Sequence, residues 1–259
     1  MKFLNVEQKQ FYKDNGYIVL DILSQAEIEE LSIAYNSVFE RKRKENTEAT
    51  WRGDWKNEDK KHEVKSIHGM QMHSAIFTKL LTHQNLLDAC EDVMDTENIL
   101  LHHTKAHLKP PGTGSPFPMH QDYHYFPFKN DSMIAVFISV DESSPVNGGL
   151  CVYPGSHLLG PQKDMSSAEG IHYIDQMQFP CEKAVPLSLK RGQVTIFSYL
   201  LIHGSYENTS SVSRRMHLLQ LMAAEDEPLI QAHKSPCQGL VLRGNNVKKE
   251  ANILSRHKD

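Results

Sequence analysis

Along the first third of the chain apolar residues recur at helical spacing, and along the rest they come in short runs. Val6 to Asp14 reads as a helix stopped at Asn15-Gly16, followed by a strand, Tyr17-Ile18-Val19-Leu20. Ser24-Gln25-Ala26-Glu27 has the form of a capping box, in which the hydroxyl and the carboxylate each satisfy a free amide at a helix start. The stripe Ile28, Leu31, Tyr35, Val38 and Phe39 then predicts a long helix to about Arg43, with one face laid on a sheet. Ala75 to Val93, carrying Leu80, Leu81, Leu86, Leu87 and Cys90, predicts a second helical stretch. Between them Lys44 to Lys65 is charged and aperiodic apart from Trp51 and Trp55, which predicts a solvated loop. The two rings either pin that loop to the body or make it a mobile cover over a substrate mouth.

From Ile99 the pattern changes to β-rich runs separated by Gly, Pro and Asn: Leu100 to Leu108, Met133 to Val140, Leu150 to Tyr153, Ala184 to Leu189, Gln193 to Phe197 and Met216 to Ala223. Strands this close leave no room for helical crossovers, so a mainly β sandwich or barrel is expected, a jelly roll with N-terminal helices packed on one sheet. No repeat or linker interrupts the chain. The expected organisation is a single domain over 1–259, with a helical cover over about 1–95, a core over about 99–225 and an extension over 226–259.

Composition narrows the class of function. The 259 residues are 39% apolar and 23% charged, in the range of an ordinary globular chain. A net charge of −4 with no basic stripe argues against nucleic acid as a partner. The start lacks the apolar segment of a signal peptide and no run approaches the roughly 18 apolar residues of a membrane span. Cys90, Cys151, Cys181 and Cys237 form no C-x-x-C pair, so a reducing, cytoplasmic setting is expected rather than a disulfide framework or a zinc ribbon. The ending Arg256-His257-Lys258-Asp259 is no recognisable peroxisomal signal.

The 15 histidines are the outlier of the composition. His120-Gln121-Asp122 is an H-x-D motif; in a strand or its extended edge, such residues project to the same side and converge. His203 closes the apolar run Leu200-Leu201-Ile202. Two imidazoles and one carboxylate form the facial triad of non-haem iron(II) oxygenases, which leaves half of the metal's coordination positions open for other ligands. Arg214 lies eleven residues beyond His203 and opens the next strand, where a guanidinium can pair bidentately with a carboxylate. Strand alternation sends Arg214 and Arg215 in opposite directions. Ser205 can add a hydroxyl. His124 is expected to line the pocket or to hydrogen-bond, and His157 to sit in a turn.

Four blocks carry a family resemblance: Leu108-Lys109-Pro110-Pro111-Gly112; His120-Gln121-Asp122-Tyr123-His124-Tyr125-Phe126-Pro127-Phe128; Asn147-Gly148-Gly149-Leu150-Cys151-Val152-Tyr153-Pro154-Gly155-Ser156-His157; and Leu200-Leu201-Ile202-His203-Gly204-Ser205 with Asn208 and Arg214 beyond. In content, order and spacing they resemble the phytanoyl-CoA dioxygenase family of iron(II)- and 2-oxoglutarate-dependent oxygenases. Phe11 to Leu20 is similar to the family's usual opening. The resemblance implies a double-stranded β-helix, with His120, Asp122 and His203 as iron ligands and Arg214 with Ser205 on the far carboxylate of 2-oxoglutarate. It also places Lys105 in contact with that cosubstrate, and Lys65 more loosely. Ile138 occupies the place where relatives often carry an aromatic ring.

The implied reaction is hydroxylation of an unactivated C–H bond with Fe(II), 2-oxoglutarate and dioxygen, releasing succinate and CO2, with ascorbate as an optional reductant. The retained carboxylate of Asp122 argues against halogenation, for which relatives carry a small residue there. Substrates compatible with the resemblance are a small molecule or a branched-chain acyl-CoA, handled by a monomer or homodimer. Lys56, Lys60, Lys61 and Lys65 could meet CoA phosphates, but Asp54, Glu58, Asp59 and Glu63 are interleaved with them. Two readings of other classes stand beside this one: a catalytically silent sensor or scaffold that binds metal and 2-oxoglutarate, and a zinc hydrolase on the same ligands.

Overall fold

The computed structural model describes residues 1–45, 49–52, 63–166, 171–231 and 233–257. Its elements are α1 (Val6–Asn15), β1 (Tyr17–Asp21), α2 (Gln25–Lys44), β2 (Ala49–Arg52), β3 (Glu63–His68), α3 (Ala75–Leu81), α4 (Gln84–Met94), β4 (Ile99–Lys109), β5 (Phe117–His120), β6 (Ile134–Ser139), β7 (Leu150–Val152), β8 (Val185–Pro186), β9 (Gln193–Ser198), β10 (His203–Ser205), β11 (Arg214–Ala223) and β12 (Val241–Arg243). The capping box at α2 forms as expected: the Ser24 hydroxyl accepts the Glu27 N–H and the Glu27 carboxylate accepts the Ser24 N–H at 2.9 Å. A second box, between Asn5 and Gln8, starts α1.

One sheet runs β1-β9-β6-β11-β4-β3-β2, with β12 added to β4, and a smaller one runs β5-β10-β7-β8. Alternation sorts the residues of the large sheet between its faces. Ile18, Leu20, Val136, Ile138, Val194, Ile196 and Leu219 meet Ile28, Leu31, Tyr35 and Val38 of α2 and Leu86, Leu87 and Cys90 of α4. The opposite face, with Ala135, Phe137, Phe197, Met216 and Leu218, packs on Leu150 and Val152 of the small sheet. Two antiparallel sheets curled face to face, helices behind the larger one, make a double-stranded β-helix. Among the described residues no helix is long and apolar enough to cross a membrane.

Several expectations need correction. The Lys44–Lys65 segment is not simply a loop, because Ala49–Arg52 and Glu63–His68 pair as a hairpin that extends the large sheet. Trp51 lies in β2 opposite Val64, while Trp55 and the middle of the expected cover fall outside the described residues. The first 95 residues therefore contribute three strands to the sheet as well as helices. The second helical stretch divides at Thr82-His83, where the His83 ring accepts the Leu86 N–H at 3.2 Å and starts a new helix. Only Val185–Pro186 of the run Ala184–Leu189 is strand. After Asp226 the chain returns to the sheet through β12, and the buried Arg256 donates to the Ala224 and Asp226 carbonyls at 3.0 and 3.2 Å.

The sheet buries histidines that make the fold sensitive to acid. His102, His103 and His217 are 1%, 4% and 0% exposed, and burial pulls His102 and His217 down to about 3 and His103 well below its ordinary value. The unfolded chain takes up protons from about pH 6.5 downward while the folded chain does not, so stability is greatest above that pH and is lost as pH falls toward 3. Each such group contributes up to about 1.4 kcal/mol per pH unit in this window. Thermal melts of the metal-free protein are expected to show Tm roughly 10 °C lower at pH 5.5 than at pH 7.5. An unchanged Tm would mean that the rings accept protons in place.

Candidate metal centre and its cavity

The small sheet brings the separated motifs together. β5 and β10 run antiparallel with His120 directly opposite His203. A Cβ on Gly204 would stand 2.7 Å from the Met119 sulfur and 2.9 Å from the Phe117 carbonyl oxygen, so glycine lets the two strands close. The loop into β10 is clamped from two sides. Ser156 of the P-G-S-H block accepts the Ile202 N–H at 2.8 Å, and the Tyr153 N–H donates to the Ile202 carbonyl at 2.9 Å. The buried Gln121 amide donates to the Leu200 and Gly160 carbonyls at 2.6 and 3.1 Å. The middle residue of the H-x-D motif thus fixes the approach to His203. Asp122 is not in a strand; it starts a 3-10 turn, Asp122–Tyr125, directly after β5.

Both imidazoles are oriented by backbone carbonyls. His120 Nδ1 donates to Pro118 O and His203 Nδ1 to Leu201 O, each at 2.9 Å. Each proton is thereby committed to Nδ1, which leaves the Nε2 lone pair facing inward, as in metal-binding histidines. The two Nε2 atoms lie 3.6 and 3.8 Å from Asp122 Oδ1, and the three donor atoms are all within 4.8 Å of one another. Burial opposes ionisation of Asp122, but the neighbouring His120, His203 and Gln220 side chains outweigh it and hold the carboxyl below its usual range. Burial, then His120, pulls His203 down to about 4, so the ring is neutral at physiological pH and able to act as a ligand.

The other end of the cavity buries two basic side chains, Arg214 and Lys109, and burial together with the neighbouring Arg214 pushes Lys109 well below the ordinary lysine range. Arg214 opposes Lys109 across β11 and β4, and each is 2% exposed. Lys109 Nζ donates to Ser205 Oγ at 2.8 Å and to the Tyr206 carbonyl. Gly148, at φ 84°, makes room for it: a Cβ there would stand 2.7 Å from Lys109 Cδ. Arg214 forms no ion pair among the described residues, its Nε has no hydrogen-bond partner, and burial pulls it down to about 10. Arg215 points the other way, onto Asp141 at 2.6 and 2.9 Å and Asn36 at 2.7 Å. A buried guanidinium with no ion pair among the described residues, beside a lysine and a hydroxyl, has the chemistry to receive a carboxylate.

Lys105 lines the same cavity nearer Asp122, whereas Lys65 is not among the lining residues. Ile138 packs under the helices; the aromatic ring on that strand that faces the cavity is Phe137, stacked on Phe197 at 5.2 Å. His124 sits in the 3-10 turn beside His172, and His157 holds the Lys13 carbonyl at 3.0 Å. Three contributors had no assigned role in the sequence reading. Lys109 was quoted only within its block, although Lys105, His107 and Lys109 alternate on one face of β4, a signal of a polar interior. Gln121 had none because its partners come from distant loops. Gln220, which reaches Asp122 Oδ2 at 3.5 Å, stands between Leu218-Leu219 and Leu221-Met222 in β11.

Residues 12–216 match the sequence profile of phytanoyl-CoA dioxygenase. The chain belongs to the phytanoyl-CoA dioxygenase family. Its relatives in this family of non-haem 2-oxoglutarate-dependent dioxygenases are distant. A probable alpha-ketoglutarate-dependent hypophosphite dioxygenase of Stutzerimonas stutzeri is 26% identical over 244 residues, covering 86% of this chain and 80% of the relative. The peroxisomal phytanoyl-CoA dioxygenase of Bos taurus is 30% identical over 227 residues, covering 82% of this chain and 66% of the bovine protein, so the chain spans just under two thirds of that relative. The non-haem alpha-ketoglutarate-dependent carbocyclase SnoK of nogalamycin biosynthesis has the same fold, with a TM-score of 0.71 at 18% identity over 86% of each chain.

Proposed function

We propose that this chain is an iron(II)- and 2-oxoglutarate-dependent hydroxylase in which His120, Asp122 and His203 hold the metal and Arg214, Ser205 and Lys109 hold the far carboxylate of 2-oxoglutarate, with Lys105 between them. The observation that carries the reading is one cavity with a convergent two-histidine, one-carboxylate donor set at one point and, at another, a buried guanidinium with no ion pair among the described residues. The donor set fits iron(II): both Nε2 atoms are free for it, and a third ligand brings the negative charge. When bound, iron(II) and 2-oxoglutarate supply the oxidising chemistry, in which dioxygen is consumed, the cosubstrate leaves as succinate and CO2, and one oxygen atom enters a C–H bond.

The residues of the chain do the rest. Arg214 and Lys109 fix the cosubstrate by charge, and Ser205 adds a hydroxyl beside them. The carbonyls of Pro118 and Leu201 keep the imidazoles in the ligating tautomer, and Gln220 steadies the carboxylate of Asp122. Phe117, Phe137, Leu150 and Leu218 wall the site with apolar surface that excludes water. The named substrates of the relatives, hypophosphite in one case and phytanoyl-CoA in the other, bracket a small molecule and an acyl-CoA.

Incubation of the iron(II)-loaded protein with 2-oxoglutarate in air is expected to yield succinate above a metal-free control even without the second substrate, and zinc should not replace iron. Binding of both ligands with no succinate would favour the silent sensor. Hydrolysis supported by zinc without 2-oxoglutarate would favour the hydrolase.

A further inference from the structure

Beyond the metal donors, the cavity is a basic, histidine-lined space whose charges the proposed cosubstrate does not exhaust. Its volume is about 280 Å³, slightly below the roughly 300–1,000 Å³ of sites that enclose drug-sized ligands, and it must take 2-oxoglutarate as well as the second substrate. Among the described residues its lining holds one carboxylate, Asp122, against three basic side chains, Lys105, Lys109 and Arg214. The metal ion answers Asp122, and the far carboxylate of the cosubstrate answers Arg214 and Lys109. Lys105 is left over. Burial draws Lys105 below the ordinary lysine range and the charge of Asp122 opposes that shift, while the charge of Lys105 disfavours protonation of His68 and His233.

Around that surplus charge the chain has gathered imidazoles by two local irregularities. In the pairing of β4 with β11, His103 faces Gln220 and Leu101 faces Leu221, so His102 is the extra residue of a bulge. The bulge turns two consecutive side chains together, and their Nδ1 atoms meet at 2.8 Å. His233, held at a left-handed φ of 55°, sets its ring 4.4 Å from that of His103 and 5.3 Å from that of His102. Such backbone strain on a non-glycine residue recurs at functional sites. The 2.8 Å separation is an N–H···N hydrogen bond that joins His102 and His103 directly, while the His233 ring packs beside them with its Nε2 bonded to Ser235 Oγ at 2.9 Å. His68, His103 and His233 line the cavity, and burial holds all three below the ordinary imidazole range, so each ring carries one N–H; with His102 donating to His103 Nδ1 and the Ser235 hydroxyl donating to His233 Nε2 at 2.9 Å, the N–H of those two rings is left for a ligand.

We infer that the second substrate is a small anion, its charged oxygens held between Lys105 and the imidazoles of His68, His103 and His233 while its reacting carbon faces the metal group. The inference rests on the oxygenase reading above. A carboxylate or phosphonate head satisfies a surplus cation and a ring of neutral donors together. A long acyl-CoA brings an uncharged thioester to that end.

Calorimetric titration of the iron(II)- and 2-oxoglutarate-loaded protein without oxygen tests this, with methylphosphonate and propanoate as anions, dimethyl sulfone and propanamide as neutral isosteres, and isovaleryl-CoA as the thioester. At least one anion is expected to bind ten times more tightly than its neutral isostere, and Lys105→Met should reduce that preference to less than twofold. The two anions distinguish a phosphonate from a carboxylate head. Equal binding of anions and isosteres, or tighter binding of isovaleryl-CoA than of either anion, would overturn the inference. So would a Lys105→Met variant that loses affinity for 2-oxoglutarate but keeps the anion preference, because Lys105 would then belong to the cosubstrate. Failure of 2-oxoglutarate to bind the iron-loaded protein, seen before any anion is added, would overturn the oxygenase reading itself and the inference with it.

Discussion

Asp122→Ala is expected to leave a folded protein that has lost iron(II) and with it 2-oxoglutarate turnover. The carboxylate lies 3.6 and 3.8 Å from the two Nε2 atoms and supplies the only negative charge of the donor set. Without it, two neutral imidazoles must hold a dication beside Lys105. The several kcal/mol that a bound metal contributes correspond to a loss of at least about a thousandfold in turnover. The fold should survive, because the turn that carries Asp122 is anchored by its neighbours: the Tyr123 N–H donates to the Tyr199 carbonyl at 3.2 Å, and Gln121 holds two loops. Metal analysis and circular dichroism on one sample separate the outcomes. Native spectra with full iron content and full turnover would remove Asp122 from the site.

Arg214→Ala is expected to raise the KM for 2-oxoglutarate strongly while Arg215→Ala leaves it unchanged. Arg214 is 2% exposed and without an ion pair among the described residues, so a bound carboxylate would be its counter-ion. Truncating one partner of a buried, hydrogen-bonded charge pair costs roughly 2–5 kcal/mol. That corresponds to a rise in KM of about thirtyfold to a few thousandfold. Arg215 instead grips Asp141 at 2.6 and 2.9 Å on the other face of the same strand, and its loss is expected to show in thermal stability. The reverse pattern in KM would assign the cosubstrate to a different part of the molecule.

Legibility in the sequence followed the range of the physics involved. The α2 capping box, its apolar stripe and the Gly16 stop of α1 are local and could be read directly. So could the candidate metal donors, because an H-x-D motif and a polar residue at the end of an apolar run stand out against their neighbours. The β2–β3 hairpin was hidden because its strands are polar and charged, and they pair at a sheet edge where no apolar alternation is required. The break at Thr82-His83 was hidden because a histidine ring, not Gly or Pro, starts the next helix. The bulge at His102 and the burial of Lys109 beside Ser205 depend on strand register and on contacts 96 residues apart, which no local pattern encodes.

Release of labelled CO2 from 1-14C-2-oxoglutarate by the wild type and by His203→Ala, at equal iron(II) and equal protein, tests the central claim most directly. His203 is the donor farthest in sequence from the other two, and its place opposite His120 depends on the fold. The account predicts iron-dependent release by the wild type and no release above the protein-free blank by the folded variant. Undiminished release by His203→Ala, or none by iron-loaded wild type, would contradict it.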